Sequence, residues 1–245
     1  MKILVIGNTL GNLDLINDYV AKSKADIVLC NGSIGLFPKS IKSFPKSFYL
    51  GRFDEYISKE KKFLVPVYSV RGVHDNLSYC EKLWKKEIEV PNFQLLKDGE
   101  SVSIRNNTKD VIPIKDISIG GIGGSYSPKS LSSTNYGTER YFKIKDINSL
   151  KNKKLHILLL HDVIGNISKK EILFSSEFYN LLDSTSPFYC FIGKYNWWAC
   201  SKLVGMNVVV LPSANRGYFL IDTHDEWNSS ATSYDFIDRG GLNGR

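Results

Sequence analysis

The sequence predicts an α/β fold, with two packed mixed sheets flanked by helices in one domain. Three observations predict it. Up to Phe93, strand-like runs alternate with segments of helical spacing. Beyond Phe93, short runs separated by turn residues read as antiparallel sheet. Several of the strand-like runs are almost continuously apolar, as expected for strands covered on both faces.

The elements follow in order. Lys2 to Ile6 is a β-favouring run. Asn12 is a plausible N-cap for a helix carrying Leu13, Ile16, Tyr19 and Val20 on one face. Asp26 to Cys30 is the next strand. Leu64 to Val70 is another, with Pro66 marking an edge or entry position. Leu77 to Glu87 reads as a helix with Leu83 and Trp84 facing inward. Phe93 to Leu96, Ser101 to Ile104 and Val111 to Ile119 are short strands, broken by Lys97-Asp98-Gly99 and Asn106-Asn107. Asp146 to Leu150 is a short helix, Leu155 to Leu160 a strongly apolar strand, and Ile172 to Leu182 a helix. Phe188 to Ile192, Val208 to Leu211 and Tyr218 to Ile221 complete the strands. Residues 1–226 are expected to form the domain. Residues 227–245 are polar and glycine-rich, and are expected to be a tail that is mobile or orders on a partner.

With 32 Lys+Arg against 25 Asp+Glu, the net charge is +7, which permits contact with a polyanion without requiring it. The stretch from Phe37 to Lys62 interleaves Lys39, Lys42, Lys46, Arg52, Lys59, Lys61 and Lys62 with Phe37, Phe44, Phe48, Tyr49 and Tyr56. It reads either as a basic-aromatic surface or as core aromatics between solvated lysines. Cys30, Cys80, Cys190 and Cys200 form no CxxC pair, which argues against a zinc ribbon and suggests reduced thiols. No apolar run approaches the ~18 residues of a spanning helix. With no charged leader before the strand at Lys2, a cytoplasmic protein with no membrane partner is expected.

Four short segments each close one of these strand runs: Gly7-Asn8-Thr9-Leu10-Gly11-Asn12, Asn31-Gly32-Ser33-Ile34-Gly35, Arg71-Gly72-Val73-His74-Asp75 and Gly193-Lys194-Tyr195-Asn196. Together with His161 after the run ending at Leu160, their order and spacing resemble the calcineurin-like metallophosphoesterase superfamily. That family carries Asp-x-His, Gly-Asp, Gly-Asn-His-Asp/Glu, a later His and Gly-His-x-His at these places. The resemblance spans Met1 to about Asn196 and implies a four-layer α-β-β-α sandwich. The run Gly120 to Pro128, followed by Glu139-Arg140-Tyr141-Phe142, resembles the middle region of branches related to RNA lariat debranching enzymes.

The ligand residues themselves are largely replaced. The family's first Asp corresponds to Asn8 and its His to Leu10. The bridging Asp corresponds to Ser33, the Asn before the general-acid His to Val73, and the last two His to Lys194 and Asn196. His74, Asp75 and His161 remain. Two dications ~3.5–4 Å apart need anionic ligands to screen their repulsion, and a lysine brings a cation instead. No metal cofactor and no catalytic residue are therefore expected. The leading expectation is a catalytically inactive relative serving as a binding or structural subunit. Its partner would be a protein or complex, with nucleic acid also possible. The degenerate site would be Asn8, Asn12, Ser33, His74, His161, Lys194 and Asn196. One alternative is an active phosphodiesterase or nuclease using Mn, Fe or Zn at a rearranged or mononuclear site with His74, Asp75 and His161. Another is a nucleotide or phosphate sensor, in which Lys194, His74, His161 and the backbone near Gly11 and Asn12 hold an anion.

Overall fold

A computed structural model describes residues 1–37, 49, 52–105, 116–127, 140–167, 172–203, 205–223 and 232–235. The elements of the first half are β1 (Lys2–Ile6), α1 (Asp14–Ser23), β2 (Ile27–Cys30), α2 (Arg52–Ile57), β3 (Val67–Val70), α3 (Leu77–Trp84) and β4 (Phe93–Leu96). Next come β5 (Glu100–Arg105), β6 (Asp116–Ile122), α4 (Ile144–Leu150), β7 (Ile157–Leu160), β8 (Gly165–Ile167), β9 (Ile172–Phe174) and α5 (Ser176–Thr185). The last are β10 (Tyr189–Ile192), β11 (Ala199–Leu203), β12 (Met206–Val210), β13 (Tyr218–Asp222) and β14 (Thr232–Asp235).

The first sheet runs β14-β13-β1-β2-β3-β4 and the second β11-β12-β10-β7-β6-β5, with β8 and β9 paired separately. β1 to β4 are parallel, and β13 joins β1 antiparallel, pairing Leu4 with Leu220. In the second sheet β6, β7, β10 and β12 are parallel, while β5 and β11 are antiparallel edges.

The period of two along each strand sorts the side chains into layers. Ile3, Val5, Ile27 and Leu29 face Ile157, Leu159, Phe191 and Val209 between the sheets. Leu4, Ile6, Val28 and Cys30 face outward, packing with Ile16, Tyr19, Phe53, Tyr56 and Cys80 from α1, α2 and α3. Leu158, Leu160, Cys190 and Val208 pack with Ile147, Phe178 and Leu181 from α4 and α5. Three core layers between helices and two sheets make the α-β-β-α sandwich that the sequence implies.

Several details differ from expectation. Asn12 does not cap α1; Leu13 holds the N-cap position without a side-chain bond, because the Asn12 N–H turns back to Thr9 O (3.0 Å). Pro66 marks an entry rather than an edge, since β3 lies between β2 and β4. β4 extends the first sheet in parallel instead of starting the antiparallel region. The helix expected over 172–182 begins only at Ser176: Ser175 caps it, and the Ile172-Leu173-Phe174 run before it pairs with β8. The strand expected over 111–119 runs on through Gly120, Gly121 and Ile122 as part of β6. In the C-terminal segment, Thr232–Asp235 pairs antiparallel with β13.

In the basic-aromatic stretch, Phe37 and Tyr56 are buried, Lys61 pairs with Asp14 and Glu55, and Arg52 pairs with Glu55. Lys39, Lys42, Lys46, Phe44 and Phe48 lie outside the described residues, as do His224 and the stretch from Pro128 to Glu139. Cys30, Cys80 and Cys190 are buried free thiols, and Cys200 is exposed. No helix among the described residues is long and apolar enough to cross a membrane.

Two close approaches position the loops at the carboxyl ends of the parallel strands. A Cβ on Gly7 would collide with the Pro212 carbonyl, and one on Gly72 with the backbone and hydroxyl of Ser33. Glycine therefore lets the loop after β1 reach the chain after β12, and the loop after β3 reach the loop after β2.

Candidate functional site

The loops after β1, β2 and β3 are tied together largely through backbone atoms. Leu10 N donates to Ser33 O (2.9 Å), Gly11 N to Ile34 O (3.1 Å) and Thr9 Oγ1 to Ile34 O (2.7 Å). Asp75 closes the group. Its carboxylate accepts from the N–H groups of Gly72 (2.7 Å), Gly35 (2.9 Å), Leu36 (3.0 Å) and Ile34 (3.2 Å). Burial pushes the Asp75 carboxyl up, and these four donors oppose that shift by favouring its charge. Both oxygens are thereby committed to the backbone. Leu10 (φ 52) and Ser33 (φ 41) occupy the left-handed region, as does Lys194 (φ 71) in the loop after β10. Non-glycine residues persist there only where their surroundings over-determine the backbone.

The second sheet contributes a side-chain cluster around Asp162, which follows β7. Asp162 Oδ2 accepts from Lys194 Nζ (2.6 Å) and Tyr126 N (3.0 Å). Its Oδ1 accepts from Tyr195 Oη (2.8 Å) and Val163 N (2.9 Å). Lys194 Nζ also donates to Ser125 Oγ (3.1 Å). Burial, and then the charge of Asp162, hold the Tyr195 phenol well above its ordinary range. The Lys194 charge is thus matched inside the protein.

The two halves meet at Asn31 and His161, both buried. Asn31 Nδ2 donates to Leu160 O (3.4 Å), and His161 Nδ1 lies 2.8 Å from Asn31 O. A carbonyl only accepts, so Nδ1 carries the proton. Burial lowers the His161 pKa to about 4, so at neutral pH the ring is uncharged and Nε2 presents a lone pair. That Nε2 has no hydrogen-bond partner among the described residues, and neither do Asn31 Oδ1, Asn8 Oδ1 or Ser33 Oγ. Buried polar atoms are usually satisfied. Four unsatisfied ones at one edge of the sandwich mark a place built to receive something, water included. Burial also lowers the His74 pKa, with Arg140 and Lys194 acting in the same direction and Asp75 against it.

In front of this edge is a cleft of about 330 Å³ lined by Asn8, Asn12, Tyr49, Asn196, Ser213 and Arg216 among others. Ser213 Oγ donates to Asn196 Oδ1 (2.7 Å), and Arg216 Nη1 to Asn196 O (2.9 Å). A larger hollow of about 560 Å³ lies away from these loops, between the end of α3 and β4.

The calcineurin-like phosphoesterase family model matches residues 1–240. The chain belongs to the calcineurin-like phosphoesterase family. Among solved structures it is similar to TT1561 of Thermus thermophilus, at 19% identity and a TM-score of 0.59, covering 90% of this chain and 93% of that one. It is also similar to the calcineurin-like phosphoesterase YfkN from Bacillus subtilis (12% identity, TM-score 0.53, 96% and 88% covered). A third is GAP50, described as the anchor in the inner membrane complex of Plasmodium (13% identity, TM-score 0.54, 89% and 73% covered). These likenesses are of fold. No protein of curated function matches the sequence.

Calcineurin-like phosphoesterases typically use metals, so the donors on this edge can be tested against that requirement. The unsatisfied atoms are one imidazole nitrogen, two amide oxygens and a hydroxyl, all uncharged. Asp75 is spent on backbone N–H groups, Asp162 on Lys194 and Tyr195. Among the described residues no group of three or more His, Cys, Asp or Glu side chains could hold a metal ion. A pair of dications, lacking a bridging carboxylate and facing an ammonium, does not fit this donor set.

Of the residues singled out from sequence, Asn8, Ser33 and His161 contribute the unsatisfied atoms. Asn8, Asn12 and Asn196 line the cleft. Lys194 turns to Asp162 rather than to an open anion pocket, because a buried carboxylate is its nearest counter-charge. Sequence reasoning missed Asn31, and it missed the Arg71–Asp98 pair (2.7 Å) that fixes the start of the loop after β3. The strand-end position of Asn31 was the one available signal; nothing local in Lys97-Asp98-Gly99 points to Arg71.

Proposed function

We propose that this member of the calcineurin-like phosphoesterase family is a non-catalytic binding or structural subunit. In this reading the loops of the former metal edge form a recognition surface. The observation that carries it is the Lys194–Asp162 ion pair beside His161: a cation supplied by the chain stands among groups that elsewhere in the family serve metal. The commitment of Asp75 to four backbone N–H groups supports the same reading, since it leaves the loop rigid and its carboxylate unavailable. The partner we favour is a protein or complex; the +7 charge leaves nucleic acid as a further partner.

The test is hydrolysis of bis(p-nitrophenyl) phosphate by the full chain with Mn²⁺, Fe²⁺ or Zn²⁺ supplied, alongside identification of what co-purifies from the native host. The proposal expects no metal-stimulated turnover and a stoichiometric companion. Turnover abolished by His74→Ala would overturn it in favour of a mononuclear hydrolase. The unpartnered Nε2 of His161 is the observation that favours that second reading.

A further inference from the structure

The two large sheets end in four edge strands, β14 and β4 on the first and β11 and β5 on the second. An edge strand leaves half of its backbone groups without a ladder partner, a template for a further strand unless charge or proline blunts it. β14 carries Asp235, β11 carries Lys202, and β5 carries Glu100 and Arg105. β4, Phe93-Gln94-Leu95-Leu96, carries neither charge nor proline.

The register fixes which groups β4 leaves open. Val67 pairs with Phe93, and Val67 N donates to Asn92 O (2.8 Å). Bonding residues alternate along a parallel ladder, so the backbones of Gln94 and Leu96 turn to β3 and those of Phe93 and Leu95 turn away. The Phe93 N–H is taken by Val90 O (3.2 Å). Phe93 O, Leu95 N–H and Leu95 O have no hydrogen-bond partner among the described residues. The 560 Å³ hollow follows this side of the strand. Phe93 and Leu95, whose side chains join the helix-side core, line it, and so does Gln94, which points to the opposite face. Leu83 and Trp84 at the end of α3 give the hollow an apolar wall.

Charge narrows the occupant. Lys59, Lys86 and Lys97 line the hollow, are exposed, and have no ion-pair partner among the described residues. Against them stand Glu89 and Glu100, and Glu100 already accepts from Lys97 N (2.8 Å). A second copy of the chain would set these lysines against their own kind, whereas an acidic segment would be held by them.

We propose that the open side of β4 is a docking site for an extended, acidic peptide segment of a partner protein. The segment adds a strand to the first sheet, bonds to Phe93 O, Leu95 N–H and Leu95 O, and places an apolar side chain against Leu83 and Trp84. This surface lies away from the loops of the former metal edge, and the proposal does not rest on the function proposed above.

Selection of a random dodecapeptide library on the full chain tests it, with the Kd of each recovered peptide read by fluorescence anisotropy. Acidic sequences with apolar residues at alternate positions are expected, with micromolar Kd. Methylating alternate amide nitrogens of the peptide should weaken binding about tenfold in one frame and leave it unchanged in the other, because only one side of an added strand faces β4. Leu95→Pro removes an outward N–H and no ladder bond, and should also weaken binding about tenfold. The combined surface variant Lys59→Glu/Lys86→Glu/Lys97→Glu should do the same and serves as the readout if Leu95→Pro does not fold. Recovery of no peptide with a Kd below about 100 μM overturns the proposal. So does methylation that acts equally in both frames, or binding that both protein variants leave unchanged. A dimer in sedimentation that Leu95→Pro dissociates would assign this strand to a second copy and overturn it as well. Metal-stimulated hydrolysis would instead overturn the proposed function and leave this inference standing.

Discussion

The two halves of the loop edge keep their shape by different means. Around the first sheet, the loops after β1, β2 and β3 are joined chiefly by backbone hydrogen bonds and by one carboxylate, Asp75, that accepts four N–H groups. Around the second sheet, the loops after β7 and β10 are joined by side chains, with Lys194, Tyr195 and Asp162 in one cluster. Backbone contacts tolerate changed side chains. Leu10 and Ser33 can therefore stand where the resemblance places metal ligands while the loop path persists, left-handed φ included. A side-chain cluster has to balance its own charge, and here an ammonium balances it. The difference teaches that a loop held by backbone bonds keeps its path whatever side chains it carries, whereas a loop held by side chains must have their charges matched from within.

The largest expected effect comes from the first half. Asp75→Ala leaves four N–H groups without their acceptor and is expected to lower stability by roughly 3–5 kcal/mol, read by urea denaturation. A change under ~1 kcal/mol, small even for one lost hydrogen bond, would mean that the backbone bonds alone hold these loops.

Next is the junction between the halves. The folded-state pKa of His161, about 4, lies below its ordinary 6.5. The folded protein therefore binds this proton less readily than the unfolded chain does. The contribution is fully present above about pH 6.5 and is lost as pH falls toward 4. The lost amount approaches roughly 3 kcal/mol. Denaturation midpoints between pH 7 and pH 4 should fall steeply in the parent and more gently in His161→Gln. Parallel curves would contradict the buried neutral ring.

The second half is expected to respond less. Lys194 is 37% exposed on its side chain and Asp162 5%, so Lys194→Met strands a buried carboxylate that still keeps three other donors. After discounting for solvent screening, about 1–2 kcal/mol is expected. The Lys194→Met/Asp162→Asn double variant should recover part of it, as a double-mutant cycle would detect. The smallest effect belongs to the surface: Lys61→Ala removes contacts to Asp14 and Glu55 that are open to water, and less than ~0.5 kcal/mol is expected.

Much of the sandwich was legible in the sequence because its parallel strands are apolar on both faces and its helices follow at amphipathic spacing. β1, β2, β7 and β10 could be read from composition alone. β11 could not: Cys200, Ser201 and Lys202 are exposed on an edge, and the apolar rule has nothing to detect there. The partner of β4 was also hidden, since the runs and turns before it do not say whether a strand returns parallel or antiparallel. At the site, the loops were legible through their spacing. The pairing of Lys194 with Asp162 was not, because it joins residues 32 apart on two different strand ends. The four unsatisfied atoms were equally hidden, since satisfaction is a property of the folded neighbourhood.

The central claim is that this edge has exchanged metal ligands for neutral acceptors and an internal cation. Titration of the metal-stripped full chain with Mn²⁺, followed by calorimetry and by elemental analysis after desalting, tests it most directly. The account predicts no retained Mn²⁺ and no saturable heat. Retention of two equivalents would contradict it.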